Sequence, residues 1–306
     1  MLMHPLSPRV VVLSWAAAGL AWPLVWLLLT VSQGLGVIAT GGEWIGVALP
    51  WGQHPWALVN QPNVGYAATR AAFWGYWLTP LLGAAILSLA VPLGVSASRS
   101  WLAELLVCQF GFAGACLGFG WAPPLGVVDG PAAGLARFWH VGSPTLIGGC
   151  ALFGALAILP SVLRLTGHLW HVQAGPGRSR RLAALAVHGL LPALTWPIVS
   201  FLVGWGPNGR SVVTLGAVLL GAVIGAWFGV PRAPLRPRPE VPPATVALAW
   251  TACLVVACAL VWSGAPRGGA AKALMWGTER MTSNVRSPMV RVRLLGSDRA
   301  PDAPKR

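Results

Sequence analysis

Carboxylates are the scarcest resource of this 306-residue chain: seven Asp and Glu stand against 21 Lys and Arg. Charge of either sign accounts for 9% of the residues, whereas soluble domains carry about a quarter. That deficit excludes an ordinary soluble domain. It also removes most of the raw material for acid–base catalysis. The one carboxylate near an apolar run is Glu104, so no buried acid pair and no proton relay can be assembled. Cysteine is equally uninformative as chemistry. Cys108, Cys116, Cys150, Cys253 and Cys258 all lie inside apolar runs without a CxxC, which marks them as small packing residues. No HExxH, P-loop, nucleophile elbow or GxGxxG stands in a suitable context. The expectation is a protein without catalytic residues, metal site or resident cofactor, and not an enzyme.

What the chain has in quantity is apolar length. Hydrophobic residues make up 56% of it, and 38 Gly, 27 Pro and 18 Trp are spread through the greasy stretches. Gly and Pro inside apolar runs are tolerated in membrane helices, where neighbouring helices re-satisfy freed backbone groups. The class expected is an all-α, polytopic transmembrane bundle in a bacterial-type inner membrane. A span needs about 20 mostly apolar residues, and about seven such runs occur: 10–31, 71–95, 102–122, 145–165, 183–205, 211–230 and 244–263. The formal charge of +14 does not imply nucleic acid. The basic residues sit in short loops and one tail, the pattern that orients membrane proteins.

Orientation follows from those loops. With the N-terminus in the cytoplasm, Arg9, Arg99, Arg164, Arg178, Arg180, Arg181, Arg232, Arg236 and Arg238 face inward, and among the loop residues only Arg70, Arg137 and Arg210 face out. The organisation is then a six-helix core (1–230), a Pro-rich linker (231–243), a seventh span (244–263) and a basic tail (264–306). Seven spans place the tail outside despite its charge, and a miscounted span is the rival explanation. Residues 32–70 form a long outer loop with Glu43, Trp44, Trp51, His54 and Trp56, and 123–144 a second one with Trp139 and His140. These suit either a Trp-rich cap or aromatics lying along the interface. Within the tail, Ala270 to Met281 reads as weakly helical.

Candidate contact residues are few. Ala217, Gly221, Gly225 and Gly229 recur every four residues on the sixth span, giving one small-residue face for close helix approach. Gly114 and Gly118 do the same on the third. His168 and His171 share a helix face, yet no Cys, Asp or Glu follows at ligand spacing, so no metal is expected. His188, in the fifth span, is a single axial-ligand candidate for a haem or pigment, without a second His at matched depth. Glu104, one turn into the third span, is a candidate to face a solute, to reach headgroup water, or to pair with Arg99 or another basic loop residue. Arg210, just outside the fifth span, either attracts an anionic solute or anchors the helix. Arg178, Arg180 and Arg181 lie on the basic elbow between the fourth and fifth spans, where a cytoplasmic partner would touch the protein.

Several of these stretches fall in a familiar order. LLGAAILSLAVPLGVSASR (81–99) is followed by Leu159-Pro160, Arg164-Leu165-Thr166, the basic elbow and Leu191-Pro192. Over about residues 9–215 this resembles the permease subunits of ABC-type importers, nearest to the phosphate-type branch. The resemblance implies a solute path lined by spans two to five and a cytoplasmic ATPase docking on loop 166–182. The family's Glu-Ala-Ala coupling run is replaced here by HVQAGPGRSRRLAAL, which implies a degenerate coupling loop. The alternative, from the Trp-rich loops and glycine-faced helices, is a non-catalytic structural subunit of a larger photosynthetic or respiratory membrane complex. Expected partners are the lipid bilayer, other membrane subunits and, on the first reading, the ATPase.

Overall fold

A computed structural model describes residues 7–49, 56–60, 71–96, 100–120, 135, 143–168, 183, 185–192, 240–264 and 272–275. Helices account for 87% of this part. They are α1 (Pro8–Ala39), a composite α2 running from Ala71 to Gly94, α3 (Trp101–Ala115, extended by a wide turn over Cys116–Gly120), α4 (Ser143–His168), the α5 turn Ala186–Leu190 and α6 (Pro243–Gly264). Among the described residues, Pro8–Ala39, Phe73–Gly94 and Trp101–Phe119 are long and apolar enough to cross a membrane, and Leu152–Leu165 and Pro243–Cys258 are shorter apolar stretches. The expected spans 211–230 and most of 183–205 lie outside the described residues.

The all-α expectation needs one correction. Strands β1 (Glu43–Leu49), β2 (Trp56–Asn60) and β3 (Lys272–Met275) form an antiparallel sheet in the order β2-β1-β3. Two further expectations change with it. Residues 32–39 continue α1 rather than opening an outer loop, and the tail piece expected to be helical contributes β3. The exposed ladder groups of β1 offer that segment hydrogen bonds that an isolated short helix lacks, and tertiary pairing overrides weak local preference.

Helix α1 begins with Pro8 at its first turn, where the missing N–H is not needed. It ends at Gly41, whose φ of +89° fits only the left-handed cap. The Gly42 N–H then donates to the Val37 carbonyl at 2.9 Å, closing a six-to-one cap. At 32 residues α1 is about 48 Å long, well beyond a hydrocarbon core of about 30 Å. The sheet docks on its last turns. The Trp44 ring lies on Gly34, where a β-carbon would come within 2.1 Å of it. The Trp44 indole N–H donates to the Gly46 carbonyl at 2.7 Å across the bulge between Trp44 and Gly46. The Ala57 N–H donates to the Gln33 amide oxygen at 3.3 Å.

Close approach by glycine sets the helix packing. Gly36 of α1 and Gly75 of α2 face each other so tightly that a β-carbon on either would lie 2.5–2.8 Å from the other's carbonyl oxygen. Gly114 and Gly118 of α3 sit against Ala84, Leu87 and Ser88 of α2, and Gly111 sits against Ser161 of α4. The interior is filled by Leu13, Trp22, Leu105, Phe112, Ile158 and Leu165, all fully buried. Outward faces of α2 and α6 carry Leu82, Ile86, Leu248 and Val255 at more than half exposure, as a lipid-facing surface requires. Helix α6 runs parallel to α1: Arg9 meets Glu240 and the Val241 carbonyl at one end, Cys253 packs on Gly19, and β3 pairs with β1 beyond the other end.

Prolines shape the helices that the glycines bring together. The wide, π-type turns Ala71–Leu78, Ile86–Ala90 and Ala186–Leu190 each end two residues before a proline, Pro80, Pro92 and Pro192. Proline lacks an N–H and its ring crowds the carbonyl four residues earlier, which pushes the preceding turn open.

Because the Gly36–Gly75 crossing is backbone on backbone, Gly75→Ala must separate α1 from α2. It is expected to cost about 1–3 kcal/mol, seen as a lower melting temperature in detergent. Gly148→Ala, where an added β-carbon meets nothing within 4 Å among the described residues, is expected to leave that temperature unchanged or slightly raised.

Candidate functional site

The most polar point of the described bundle is the junction of three helix ends. Helix α2 ends at Gly94, leaving carbonyls at its C-terminus without intrahelical partners. Helix α3 starts after Ser100, whose hydroxyl accepts from the Ala103 N–H at 3.5 Å, and carries Glu104 in its first turn. Helix α4 brings Arg164 between them. The guanidinium donates from Nε to Glu104 Oε2 at 3.0 Å and from Nη2 to Glu104 Oε1 at 2.9 Å. Its Nη1 donates to the Pro92 and Val95 carbonyls at 2.8 and 2.6 Å, and Nη2 also to the Ser96 carbonyl at 3.3 Å.

Arginine offers five N–H donors in a fixed fork, and all five are engaged here. The charges also suit the helix ends they touch. A cation at the C-terminus of α2 and a carboxylate in the first turn of α3 both complement the local dipole. Side chains of Arg164 and Glu104 are 3% and 1% exposed, so the pair is sealed from solvent. Arg164, counted among the loop arginines on sequence grounds, is therefore a buried residue of α4, and Glu104 pairs with it across the bundle.

A second polar point lies deeper. Pro192 has no N–H to give the His188 carbonyl, its partner four residues back. Two buried side chains fill that place: Ser14 Oγ of α1 donates at 3.0 Å and Gln109 Nε2 of α3 at 2.8 Å. Gln109 Oε1, Ser161 Oγ and Trp22 Nε1 are buried without a hydrogen-bond partner among the described residues. His188 itself is fully buried. It sits beside Gly189, which packs on Phe112 and Leu165. Among the described residues no group of three or more His, Cys, Asp or Glu is placed to hold a metal ion.

Of the residues singled out from sequence, only Glu104 and His188 belong to these two points. Arg178, Arg180, Arg181, Arg210, Ala217, Gly221, Gly225 and Gly229 lie outside the described residues, as do His54, His140 and His171. Sequence reasoning passed over Ser14 and Gln109. The Leu-Pro at 191–192 announces an orphan carbonyl at His188, yet nothing in the sequence says which side chains reach it. Comparison with known protein families, curated proteins and solved structures finds no match to this chain.

Removing one partner of the ion pair leaves an uncompensated buried charge. Glu104→Ala is expected to destabilise by about 3–5 kcal/mol, read as lost yield and melting temperature in detergent. Arg164→Lys keeps the charge but has three donors for five acceptors and is expected to fall between wild type and Glu104→Ala. The His188 carbonyl should behave differently. Ser14→Ala and Gln109→Leu each leave it one donor and are expected to have small effects. The double variant orphans it, adding a penalty of about 1–3 kcal/mol beyond the sum, which a double-mutant cycle measures.

Proposed function

We propose that the chain is a non-catalytic structural subunit of a larger membrane assembly, in a bacterial-type inner membrane. One observation carries this reading: every N–H of the buried Arg164 is spent on other parts of the same chain. A solute pathway needs charged or polar groups facing an open passage, whereas the buried charged pair of the described bundle is turned onto the chain itself. The close glycine crossings point the same way, because they suit helices that stay in one arrangement.

The topology proposed with it is seven crossings with the N-terminus cytoplasmic. A chain whose first and last crossings run in the same direction crosses an odd number of times, and the parallel course of α1 and α6 favours that parity. Positively charged loop residues support the orientation.

A second reading, the membrane subunit of an ABC-type importer with a degenerate coupling loop, draws on the same ion pair. Arg164 lies four residues before His168, the last residue of α4, and ties that end to α2 and α3. A push on the elbow 166–182 would reach all three helices at once. Gentle purification from native membranes followed by mass spectrometry separates the two. The structural reading expects other integral membrane subunits and no nucleotide-binding protein. Recovery of an ATPase in stoichiometric amount, released by Arg178, Arg180 and Arg181 charge reversal, would instead establish the importer reading.

A further inference from the structure

The last helix is held to the rest unevenly. Helix α6 packs chiefly along α1, with Val241 and Ala249 buried there, while Leu248, Leu254 and Val255 are 71%, 58% and 62% exposed. Its beginning is fastened by Arg9, through a 3.6 Å contact to Glu240 and a 3.4 Å hydrogen bond to the Val241 carbonyl. Both partners of that ion pair are 45% exposed, and exposed pairs hold weakly. Past its other end, Lys272–Met275 adds to the free edge of β1 in the register Gly46↔Met275, Val47↔Leu274, Ala48↔Ala273 and Leu49↔Lys272. The opposite edge of β1 is taken by β2, and the sheet is anchored on α1 through Trp44 and Gln33.

We propose that β3 is a strap, contributed by the segment that follows the last crossing, which closes the sheet and fastens α6 to α1 at the end opposite Arg9. The connector 265–271 between α6 and β3 is short, so the strand is presented to β1 at an effective concentration in about the millimolar range. Four residues of ladder that would not associate between separate molecules therefore close within one. The strap also covers an edge that would otherwise be open to strands of other chains. Its closing requires that residues 43–49 and 272–275 lie on the same face of the membrane. The last crossing must thus be complete before the β1 edge is sealed.

The test uses the full-length protein in native membranes. Directly opposite positions in an antiparallel pair have β-carbons about 4.5–5.5 Å apart, near disulfide reach. Val47→Cys with Leu274→Cys is expected to form an intramolecular disulfide under mild oxidation, identified as a linked peptide by mass spectrometry. Glu43→Cys with Leu274→Cys, displaced by about 13 Å along the strand, is expected not to. Each introduced thiol alone should be labelled by an impermeant maleimide from the same side. Leu274→Pro, which breaks the ladder without shortening the chain, should speed hydrogen exchange of amides 43–49 by roughly tenfold. Absence of the 47–274 bridge, bridging equally efficient at 43–274, labelling from opposite sides, or unchanged exchange in Leu274→Pro would each overturn the strap.

Discussion

Ending a helix inside a greasy bundle leaves bare carbonyls, and bare carbonyls in a low-dielectric interior are costly. The described bundle meets that constraint at one place with one residue. Arg164 reaches from α4 to the end of α2, takes the carbonyls of Pro92 and of Val95 and Ser96 just beyond it, and is neutralised by Glu104 at the start of α3. The cation and the carboxylate each sit at the helix end whose dipole favours them. A replacement of the pair by apolar residues would not restore this. The carbonyls of Pro92, Val95 and Ser96 would remain, so the usual argument that a buried ion pair is exchangeable for hydrophobic packing does not apply here.

Proline and glycine play complementary parts around that junction. Pro80, Pro92 and Pro192 each follow a widened turn, and each removes a hydrogen bond from its helix. The helix loses regularity, and a neighbour must supply what is missing, as Ser14 and Gln109 do for the His188 carbonyl. Such side chains reach only if backbones lie close together. The glycines at 36, 75, 111, 114 and 118 provide that closeness. An isolated helix with these prolines would be poor; in the bundle the carbonyl that Pro192 leaves unpaired becomes the acceptor of two interhelical hydrogen bonds.

This division also explains what the sequence made legible. Apolar length announced three helices as the runs 10–31, 71–95 and 102–122, which the structure gives as 8–39, 73–94 and 101–119, because the bilayer dictates about 20 residues per crossing. The small-residue spacing at Gly114 and Gly118 marked a packing face, and the acid at Glu104 marked a polar point. The partner of Glu104 was not legible. Arg164 lies at the edge of an apolar run, where an arginine reads equally well as a loop residue, and only the depth of α4 in the bundle decides. Nor was β3 legible. A four-residue strand owes its existence to the edge it meets, and that edge is more than 200 residues away in the chain.

The arrangement of fastenings has a mechanical consequence. At one end of the bundle α2, α3 and α4 are joined through the Arg164 fork, and at the other α1 carries the sheet. Between these ends the described contacts are apolar or made by single hydroxyl and amide groups. Interactions of that kind in membrane interiors are individually weak, about 0.6 kcal/mol on average, whereas breaking a buried charge pair costs several times more. The described bundle is therefore held most strongly at the Arg164 junction. Opening a continuous path through such a bundle would require the Arg164 junction to separate, and no other acceptor set of equal quality is present among the described residues to receive the freed guanidinium. The strength of that junction supports the proposed structural-subunit reading over one in which the helices must part.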